Sequence, residues 1–375
     1  MRTHKIEHAP MVRLGELIEL CDERNSEGKY GIDDVRGMTI SKEIISTKAD
    51  IKDTDLSKFY IVYPNEFIYN PRTHGKKIGL GFNNSLKPIL ISWNNTAFKV
   101  KDIEKVEPTY LYMIFNREEW DREACYNSWG SSTVVFAWED LCNMKIPLPS
   151  IETQKELVAV YNGLKELAEE NEKLLEPLEE SCQAFIVDCK KKYPMKKLGD
   201  YIIENREKNT EGVYSKVMGL STQKQFREPN SRVNKDELHG YKITENNSFA
   251  FVPTTDTWKV FACALNKGET IVVSPIYCVF KLVNEETFLA DFLSIYFKRK
   301  EFDRYVRFNS WGSARENFNF DDLCDVKIPV PPLEIQQKIV NLFNCYEECK
   351  RISTTAREKI KNLCPALVQK AAHSE

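Results

Sequence analysis

Apolar residues recur at alternating spacings of three and four along two long stretches of the chain, and this pattern predicts two long helices. The first seam contains Leu157, Tyr161, Leu164, Ala168, Asn171, Leu175, Leu178, Cys182 and Phe185. The second contains Ile335, Ile339, Leu342, Tyr346, Cys349, Ser353, Ala356, Ile360, Leu363 and Leu367. Stripes this narrow are typical of a coiled coil, in which a polar seam residue specifies the register. Two helices that each pack on their own domain are the alternative.

A pattern of short β-rich runs followed by one amphipathic helix precedes each long helix. In the first half the runs are residues 67–70, 77–82, 88–92 and 97–100, and the helix is 109–126. In the second half the runs are 249–252, 259–265, 270–274 and 277–282, and the helix is 288–308. Strands and helices are mixed without a regular alternation, which favours the α+β fold class.

The two halves repeat each other in sequence. Asn-Ser-Trp-Gly-Ser at residues 127–131 recurs at 309–313, and Asp-Leu-Cys at 140–142 recurs at 322–324. The exit sequence Ile-Pro-Leu-Pro at 146–149 becomes Ile-Pro-Val-Pro at 328–331 in the same register. A period of this length indicates a domain duplication and not a solenoid.

The repeat and the long helices together divide the chain into four segments. We expect globular domains at 1–150 and 193–331 and helices at 151–192 and 332–375. Because a globular domain lies between the helices, an antiparallel pair is the simplest arrangement that covers both seams. The predicted architecture is two homologous globular domains joined and spaced by two long antiparallel coiled-coil helices, with a pseudo-twofold internal repeat.

Composition narrows the possible classes of protein. A chain of 375 residues with 42% hydrophobic residues suits two domains with real cores, and it has no apolar run long enough to span a membrane. Its first residues do not lead into an apolar signal segment. The 11 cysteines are scattered without disulfide-type spacing or a CxxC pair, which fits a reducing cytoplasm. Cys345 and Cys349 lie four apart on one helical face, but none of the five histidines lies close in sequence, so we predict no metal site.

The net charge of −3 does not suit a protein that holds nucleic acid by itself. Nucleic-acid binding would therefore need local basic patches or partner proteins that neutralise phosphates. No nucleophile elbow, nucleoside-triphosphate loop or convincing carboxylate–lysine nuclease cluster occurs in the sequence, so we predict no catalytic residues.

Polar and basic loops differ between the two copies while the surrounding sequence matches, as expected if two copies of one fold read different DNA sequences. Arg, Lys, Gln, Asn, Ser and Thr are the side chains that contact base edges and phosphates. The expected DNA contacts in the first domain are Thr39, Ser41, Lys42, Arg72, Thr73, Lys76, Lys77, Ser131 and Ser132. In the second domain they are Ser221, Thr222, Gln223, Lys224, Gln225, Arg227, Thr254, Thr255, Lys259, Ser313 and Arg315.

In these features the chain resembles the specificity subunits of type I restriction-modification enzymes, and the resemblance covers essentially its whole length. The resemblance rests on the two segments from Gly-Ser to Pro-x-Pro at 130–149 and 312–331 and on the openings of the two domains at 12–17 and 196–201. It also rests on Glu152 with Gln154 and on Glu334 with Gln336. The second copy has the full Pro-x-Pro-Leu-Glu-x-Gln exit, whereas the first has Ser150-Ile151 in place of Pro-Leu.

The resemblance implies two target-recognition domains that each read one half of a split, asymmetric target in double-stranded DNA. It also implies two methylation subunits that modify adenine with S-adenosylmethionine, and restriction/translocase subunits that use ATP and Mg. The chain itself would bind no cofactor and catalyse nothing, and the partner subunits would hold those cofactors.

Three other readings stay open at this point. The chain could serve a methylase-only system as an orphan specificity subunit, or its gene segments could be shuffled. It could be a tandem protein-interaction scaffold that never contacts DNA. A single-chain enzyme is the third, and the missing motifs count against it.

Overall fold

The computed structural model of the chain describes residues 9–47, 50–73, 77–130, 134–229, 235–254, 260–312 and 316–372. Its contacts divide the chain into two compact units. The first unit contains residues 1–170 and 352–375, and the second contains residues 171–351. Each long helix therefore contributes residues to both units.

The first unit is built on an antiparallel sheet of four strands in the order β2-β9-β6-β7, with the two-stranded pairs β1-β10, β3-β4 and β5-β8 around it. Its strands are β1 (Met11–Arg13), β2 (Ile18–Cys21), β3 (Arg36–Met38), β4 (Ile44–Ser46), β5 (Tyr60–Val62), β6 (Phe67–Tyr69), β7 (Leu80–Phe82), β8 (Ile89–Ile91), β9 (Thr96–Val100) and β10 (Lys145–Pro147). Its helices are α1 (Leu14–Leu17), α2 (Pro108–Phe115), α3 (Glu118–Tyr126) and α4 (Trp138–Asn143), and the long α5 (Ile151–Lys192) follows. Phe67 pairs across the sheet with Phe82 and Phe98, and their stacked rings form the centre of the core.

The second unit repeats this topology strand for strand. Its sheet has the order β12-β19-β16-β17, with the pairs β11-β20, β13-β14 and β15-β18. The strands are β11 (Met195–Lys197), β12 (Ile202–Glu204), β13 (Gly219–Leu220), β14 (Phe226–Arg227), β15 (Lys242–Thr244), β16 (Ser248–Phe251), β17 (Cys263–Leu265), β18 (Ile271–Val273), β19 (Cys278–Leu282) and β20 (Lys327–Pro329). The helices are α6 (Ala290–Lys298), α7 (Lys300–Phe308), α8 (Phe320–Cys324) and the long α9 (Leu333–Ala371). Mixed strands and helices in two repeated domains confirm the predicted α+β class.

The single amphipathic helix predicted in each half is two helices. Arg117 and Arg299 have extended backbones, with φ/ψ of −78°/146° and −71°/141°, and each begins a new helix. The break turns the second helix so that Phe302 packs on Phe297, with ring centroids 4.8 Å apart. Helical periodicity continued across the break in the sequence, and for that reason the pattern alone did not reveal it.

Both predicted long helices are confirmed, and α5 and α9 continue through Pro177 and Pro365. In the first unit the start of α5 and the end of α9 share one hydrophobic core with the domain, so the two helices run antiparallel there. In the second unit the end of α5 and the start of α9 do the same. The helix ends lie beside each other, as the coiled-coil prediction requires. They also pack on a globular domain, as the alternative of helices packed on their own domains requires.

The buried stripe departs from the predicted seam near the end of each helix. Phe185 is 53% exposed and Leu363 is 42% exposed, whereas Ile186 and Cys364, each one residue further along the chain, are buried. The stripes there step by four, four and three, a local departure from the alternating spacing of a left-handed coiled coil. None of the helices in the described ranges is both long and apolar enough to cross a membrane.

The repeated Leu-Gly and Leu-Cys sequences lie against each other in both domains. A Cβ atom on Gly15 would lie 2.9 Å from Cys142 Cβ, and one on Gly199 would lie 2.8 Å from Cys324 Cβ. These glycines let α1 and the equivalent turn at residues 198–200 approach α4 and α8. The repeat in sequence is thus a repeat of one close packing contact.

Candidate DNA interface

A tight hairpin closed by a lysine recurs in both domains. Between β3 and β4, the Lys42 amide donates to the Thr39 carbonyl at 3.1 Å, and Lys42 has φ 64°. Between β13 and β14, the Lys224 amide donates to the Ser221 carbonyl at 3.0 Å, and Lys224 has φ 59°. A positive φ is unusual for a residue with a side chain. A contact with the rest of the domain is therefore expected to hold each lysine in place.

Each of these buried lysines is paired with an aspartate of its own domain. Lys42 Nζ lies 2.7 Å from Asp121 Oδ2, and the two side chains are only 3% and 8% exposed. Lys224 Nζ lies 2.7 Å from Asp303 Oδ1. Burial lowers the pKa of both lysines from the usual lysine value, and the facing aspartate opposes that shift. The pair recurs with both of its members, so it belongs to the shared scaffold of the two domains.

Lys42 and Lys224 therefore do not suit the DNA-contact role that the sequence suggested. Their ammonium groups point into the protein, and Lys224 Nζ also donates to the Phe297 carbonyl at 2.6 Å. The polarity of the loop suggested contact with phosphates, but the charge is used internally. Each lysine anchors its hairpin and leaves neighbouring side chains such as Ser41, Thr222 and Gln223 exposed.

The anchored hairpins border the loops that follow β6 and β16. A Cβ on Gly79 would lie 3.6 Å from Met38 Cγ, which places the first hairpin beside the loop that contains Arg72, Thr73 and Lys77. In the second unit, Gln223 and Gln225 line a cleft of about 510 Å³ together with Val260 and residues of α5 and α9, including Glu179 and Glu347. The predicted contacts Gln223 and Gln225 thus face the long helices as well as solvent.

The repeated Asn-Ser-Trp-Gly sequence is a helix end followed by a hairpin. The Asn127 side chain donates to the Glu123 carbonyl at 2.9 Å, and the Ser128 hydroxyl donates to the Ala124 carbonyl at 2.7 Å, so both cap α3. Asn309 and Ser310 cap α7 in the same way. The next glycines, Gly130 and Gly312, have φ 145° and 154°, a region that favours glycine.

The hairpin brings together two loops that the sequence analysis singled out separately. Trp129 and Val135 exchange backbone hydrogen bonds of 3.0 and 2.9 Å, and Arg72 forms a β-bridge to Val135. The Thr73 amide donates to the Val134 carbonyl at 3.0 Å. The loop of Arg72 and Thr73 is therefore joined directly to the segment that follows Gly130.

We call the Trp-Gly hairpin and the loop bridged to it the frame, and the second domain has the same frame with different side chains. Trp311 and Asn317 exchange backbone hydrogen bonds of 3.1 and 3.0 Å, and Thr254 forms the bridge to Asn317. The Thr254 hydroxyl also donates to the Asn317 side-chain oxygen at 3.3 Å. Arg72 is thus replaced by threonine and Val135 by asparagine on a common backbone.

Some of the expected contacts lie outside the described residues, namely Lys76, Ser131, Ser132, Thr255, Lys259, Ser313 and Arg315. Of the others, Ser41, Arg72, Lys77, Thr222, Gln223 and Gln225 are exposed, and Thr39, Thr73, Ser221, Arg227 and Thr254 are partly buried. Within the described ranges, no cluster of three or more His, Cys, Asp or Glu side chains could hold a metal ion.

Exposed aromatic residues at the hairpin were missed in the sequence. Tyr126 and Trp129 are 82% and 70% exposed, and their counterparts Phe308 and Trp311 are 83% and 73% exposed. Such large exposed apolar rings are typical of a binding surface. The recurrence of Trp-Gly was visible in the sequence, but the same recurrence would be expected for a core residue.

Comparison with known proteins decides the family. A sequence model described as "Type I restriction modification DNA specificity domain" matches residues 8–180 and again residues 197–362. The chain belongs to this family. It is the DNA sequence-recognition subunit of a type I restriction-modification system, with one domain for each half of a bipartite target, and members of this family are not catalytic.

A solved structure with the same fold is known. A crystal structure of a type I restriction-modification system S subunit from M. genitalium aligns with a TM-score of 0.60 at 12% identity, over 98% of this chain and 97% of that one. The HsdS subunit from Thermoanaerobacter tengcongensis aligns with a TM-score of 0.41 at 16% identity, over 97% and 96% of the two chains. A search of curated proteins found no significant match.

Proposed function

We propose that the frame around each Trp-Gly hairpin carries the base-reading residues of its domain. The observation that supports this most strongly is a shared backbone with exchanged side chains: Arg72 and Val135 in one domain, Thr254 and Asn317 in the other. Scaffold positions such as the Lys–Asp pair and Trp-Gly are the same in both. Arginine pairs with guanine and asparagine pairs with adenine in the major groove, so the two frames suit different bases.

The exposed aromatic rings extend this proposed interface. Trp129 and Trp311 project from the same hairpins, and an aromatic ring can pack against sugars or wedge between base steps. Because both domains have the tryptophan, its contribution to DNA affinity would not depend on the DNA sequence of the half-site. The loops would then supply specificity, and the tryptophans would supply affinity for both half-sites.

We further propose that the chain works with two methylation subunits that modify adenine. The exposed glutamates of α5, among them Glu166, Glu176 and Glu180, would be repelled by phosphates and suit a protein partner. Those subunits would bind S-adenosylmethionine, and restriction/translocase subunits would bind ATP and Mg. A cytoplasmic location belongs to the same proposal, because the family acts on DNA. An orphan subunit of a methylase-only system would methylate the same sites without cleavage.

The long helices would act as a ruler between the half-sites. The 42 residues of α5 extend about 63 Å at about 1.5 Å per residue. This is nearly two turns of B-DNA at about 34 Å per turn, so two half-sites with an unread gap between them fit this length.

Selection of bound sites from random DNA by the complex with its methylation subunits tests the domain assignment. Changing Arg72, Lys76 and Lys77 to Ala should relax one half-site, and changing Gln223, Gln225 and Arg315 to Ala should relax the other. Each lost base contact should cost about 1–3 kcal/mol. Lys87→Ala removes another exposed charge of the first domain and should leave the selected sequences unchanged. If either triple variant relaxes both half-sites together, each domain does not read its own half.

A further inference from the structure

One fully buried glutamine side chain fastens each long helix to its own domain. Gln154 lies in the first turn of α5 and Gln336 lies in the first turn of α9, and both are 0% exposed. They are the glutamines of the repeated exit sequence. A buried primary amide needs partners for one oxygen and two N–H groups, or it destabilises the fold.

The Gln154 amide finds all of these partners in two separate segments. Its oxygen accepts from the backbone N–H of Glu107, the residue that caps α2, at 3.0 Å. Its nitrogen donates to the Lys105 carbonyl at 3.2 Å and to the Pro149 carbonyl at 2.9 Å. One side chain thus ties the helix start to the end of the exit strand and to the start of α2.

The second domain repeats this connection bond for bond. Gln336 oxygen accepts from the backbone N–H of Leu289, the residue that caps α6, at 2.8 Å. Gln336 nitrogen donates to the Thr287 carbonyl at 3.0 Å and to the Pro331 carbonyl at 2.8 Å. The same three-way connection in both copies means that each helix leaves its domain in the same fixed direction.

Apolar packing alone would hold the helix less specifically at this point. Leu157 and Val158 lie against the core of the first domain, and Ile339 and Val340 lie against that of the second. Such contacts tolerate small rotations, whereas three hydrogen bonds to two other backbone segments allow one orientation. A helix that starts in a fixed direction carries its far end to a fixed place.

We infer that Gln154 and Gln336 are positioning residues that set the length of the gap between the two half-sites. This inference rests on the proposed bipartite reading, with the long helices as the ruler. The glutamines contact no base in this scheme. They determine which spacing is accepted, and the loops determine which sequences are accepted.

The test uses the complex of the chain with its methylation subunits and a set of DNA duplexes. The duplexes keep both half-sites and change the gap by one or two base pairs. Gln154→Met and Gln336→Met keep the length and volume of the side chain but remove its hydrogen bonds. Gln337→Glu changes an exposed neighbour on the same helix and serves as the control.

The wild-type complex and the control should prefer one gap length by about tenfold or more, comparable with the effect of a mismatched base pair. With both Met substitutions this preference should fall to within about threefold, while the preferred half-site sequences stay the same. Amide hydrogen exchange should be faster at Glu107 and Leu289 and unchanged in the central strands, which shows that the joint has opened in a folded chain. Gln154→Asn, a milder change, covers the case in which Met prevents folding.

The outcomes separate this inference from the proposed function. If the wild-type complex accepts all gaps equally, the bipartite ruler itself is wrong. If the wild type is selective and the variants keep full gap selectivity although exchange at Glu107 and Leu289 is faster, the glutamines do not set the gap. Loss of half-site preference together with gap preference would also contradict the positioning role.

Discussion

The ion pair between buried Lys224 and Asp303 predicts a large and specific loss of stability in the second domain. In Lys224→Met the side chain keeps its length but loses its charge, so Asp303 becomes an unpaired, largely buried carboxylate, 17% exposed, that still accepts from the Phe261 amide at 2.9 Å. The Phe297 carbonyl loses its donor as well. The hairpin of residues 221–225 then loses the contact that holds Lys224 at a positive φ.

Removing one partner of a buried ion pair costs about 3–5 kcal/mol. Because Asp303 keeps the Phe261 N–H, we expect the lower end, about 3 kcal/mol. For a unit of this size each kcal/mol lowers Tm by about 2–4 °C, so the unfolding transition of the second unit should shift down by about 6–12 °C. In the first domain, Asp121 Oδ1 has no hydrogen-bond partner among the described residues, so Lys42→Met should cost more, about 4–5 kcal/mol.

Differential scanning calorimetry of the purified chain measures these shifts, with urea unfolding at 25 °C as a second measure. The double variant Lys224→Met with Asp303→Leu removes both charges and should lose only about 1–2 kcal/mol, for the unpaired backbone groups. The two single changes should therefore be strongly non-additive. A loss below about 1 kcal/mol for Lys224→Met, or a double variant whose loss equals the sum of the single losses, would refute the role of this ion pair.

Three further outcomes follow from the structure. Gly199→Ala should destabilise the chain by about 1–3 kcal/mol in urea unfolding, because the new Cβ would overlap Cys324, and a loss within error of zero would contradict that packing contact. Trp129→Ala should weaken DNA binding by the complex in a fluorescence anisotropy titration without changing the preferred sequence, whereas a changed preference would assign base reading to the ring. Inserting seven residues after Leu164 and seven after Ala356 keeps the helical seam in phase and should lengthen the gap between half-sites in methylation mapping. An unchanged gap with full activity would show that the helices do not set it.

The fold could be predicted largely because it is duplicated. A single copy of the β-rich runs would leave the topology open, but matches in one register over both halves indicated a repeated domain and predicted its end near Pro149 and again near Pro331. The long helices could be predicted from their stripes of apolar residues. Where the stripe shifts, Ile186 and Cys364 pack into the cores of the globular domains, and sequence periodicity does not identify that packing partner.

The site was harder to predict because its organisation depends on contacts between distant residues. Lys42 and Asp121 are 79 residues apart, and nothing local shows that this lysine points inward. Their joint recurrence as Lys224 and Asp303 was present in the sequence and could have suggested a pair. The loop of Arg72 and Thr73 and the segment after Gly130 were predicted as DNA contacts because they are polar. Their joining at the Trp-Gly hairpin could not be predicted from polarity.

Methylation mapping of genomic DNA is the most direct test of bipartite recognition by this subunit. The DNA would come from a host that expresses the chain together with its methylation subunits. We expect every modified site to contain two short sequences that differ from each other and are separated by a gap of constant length. A single uninterrupted sequence, or two identical halves, would contradict the account of two domains that read different half-sites.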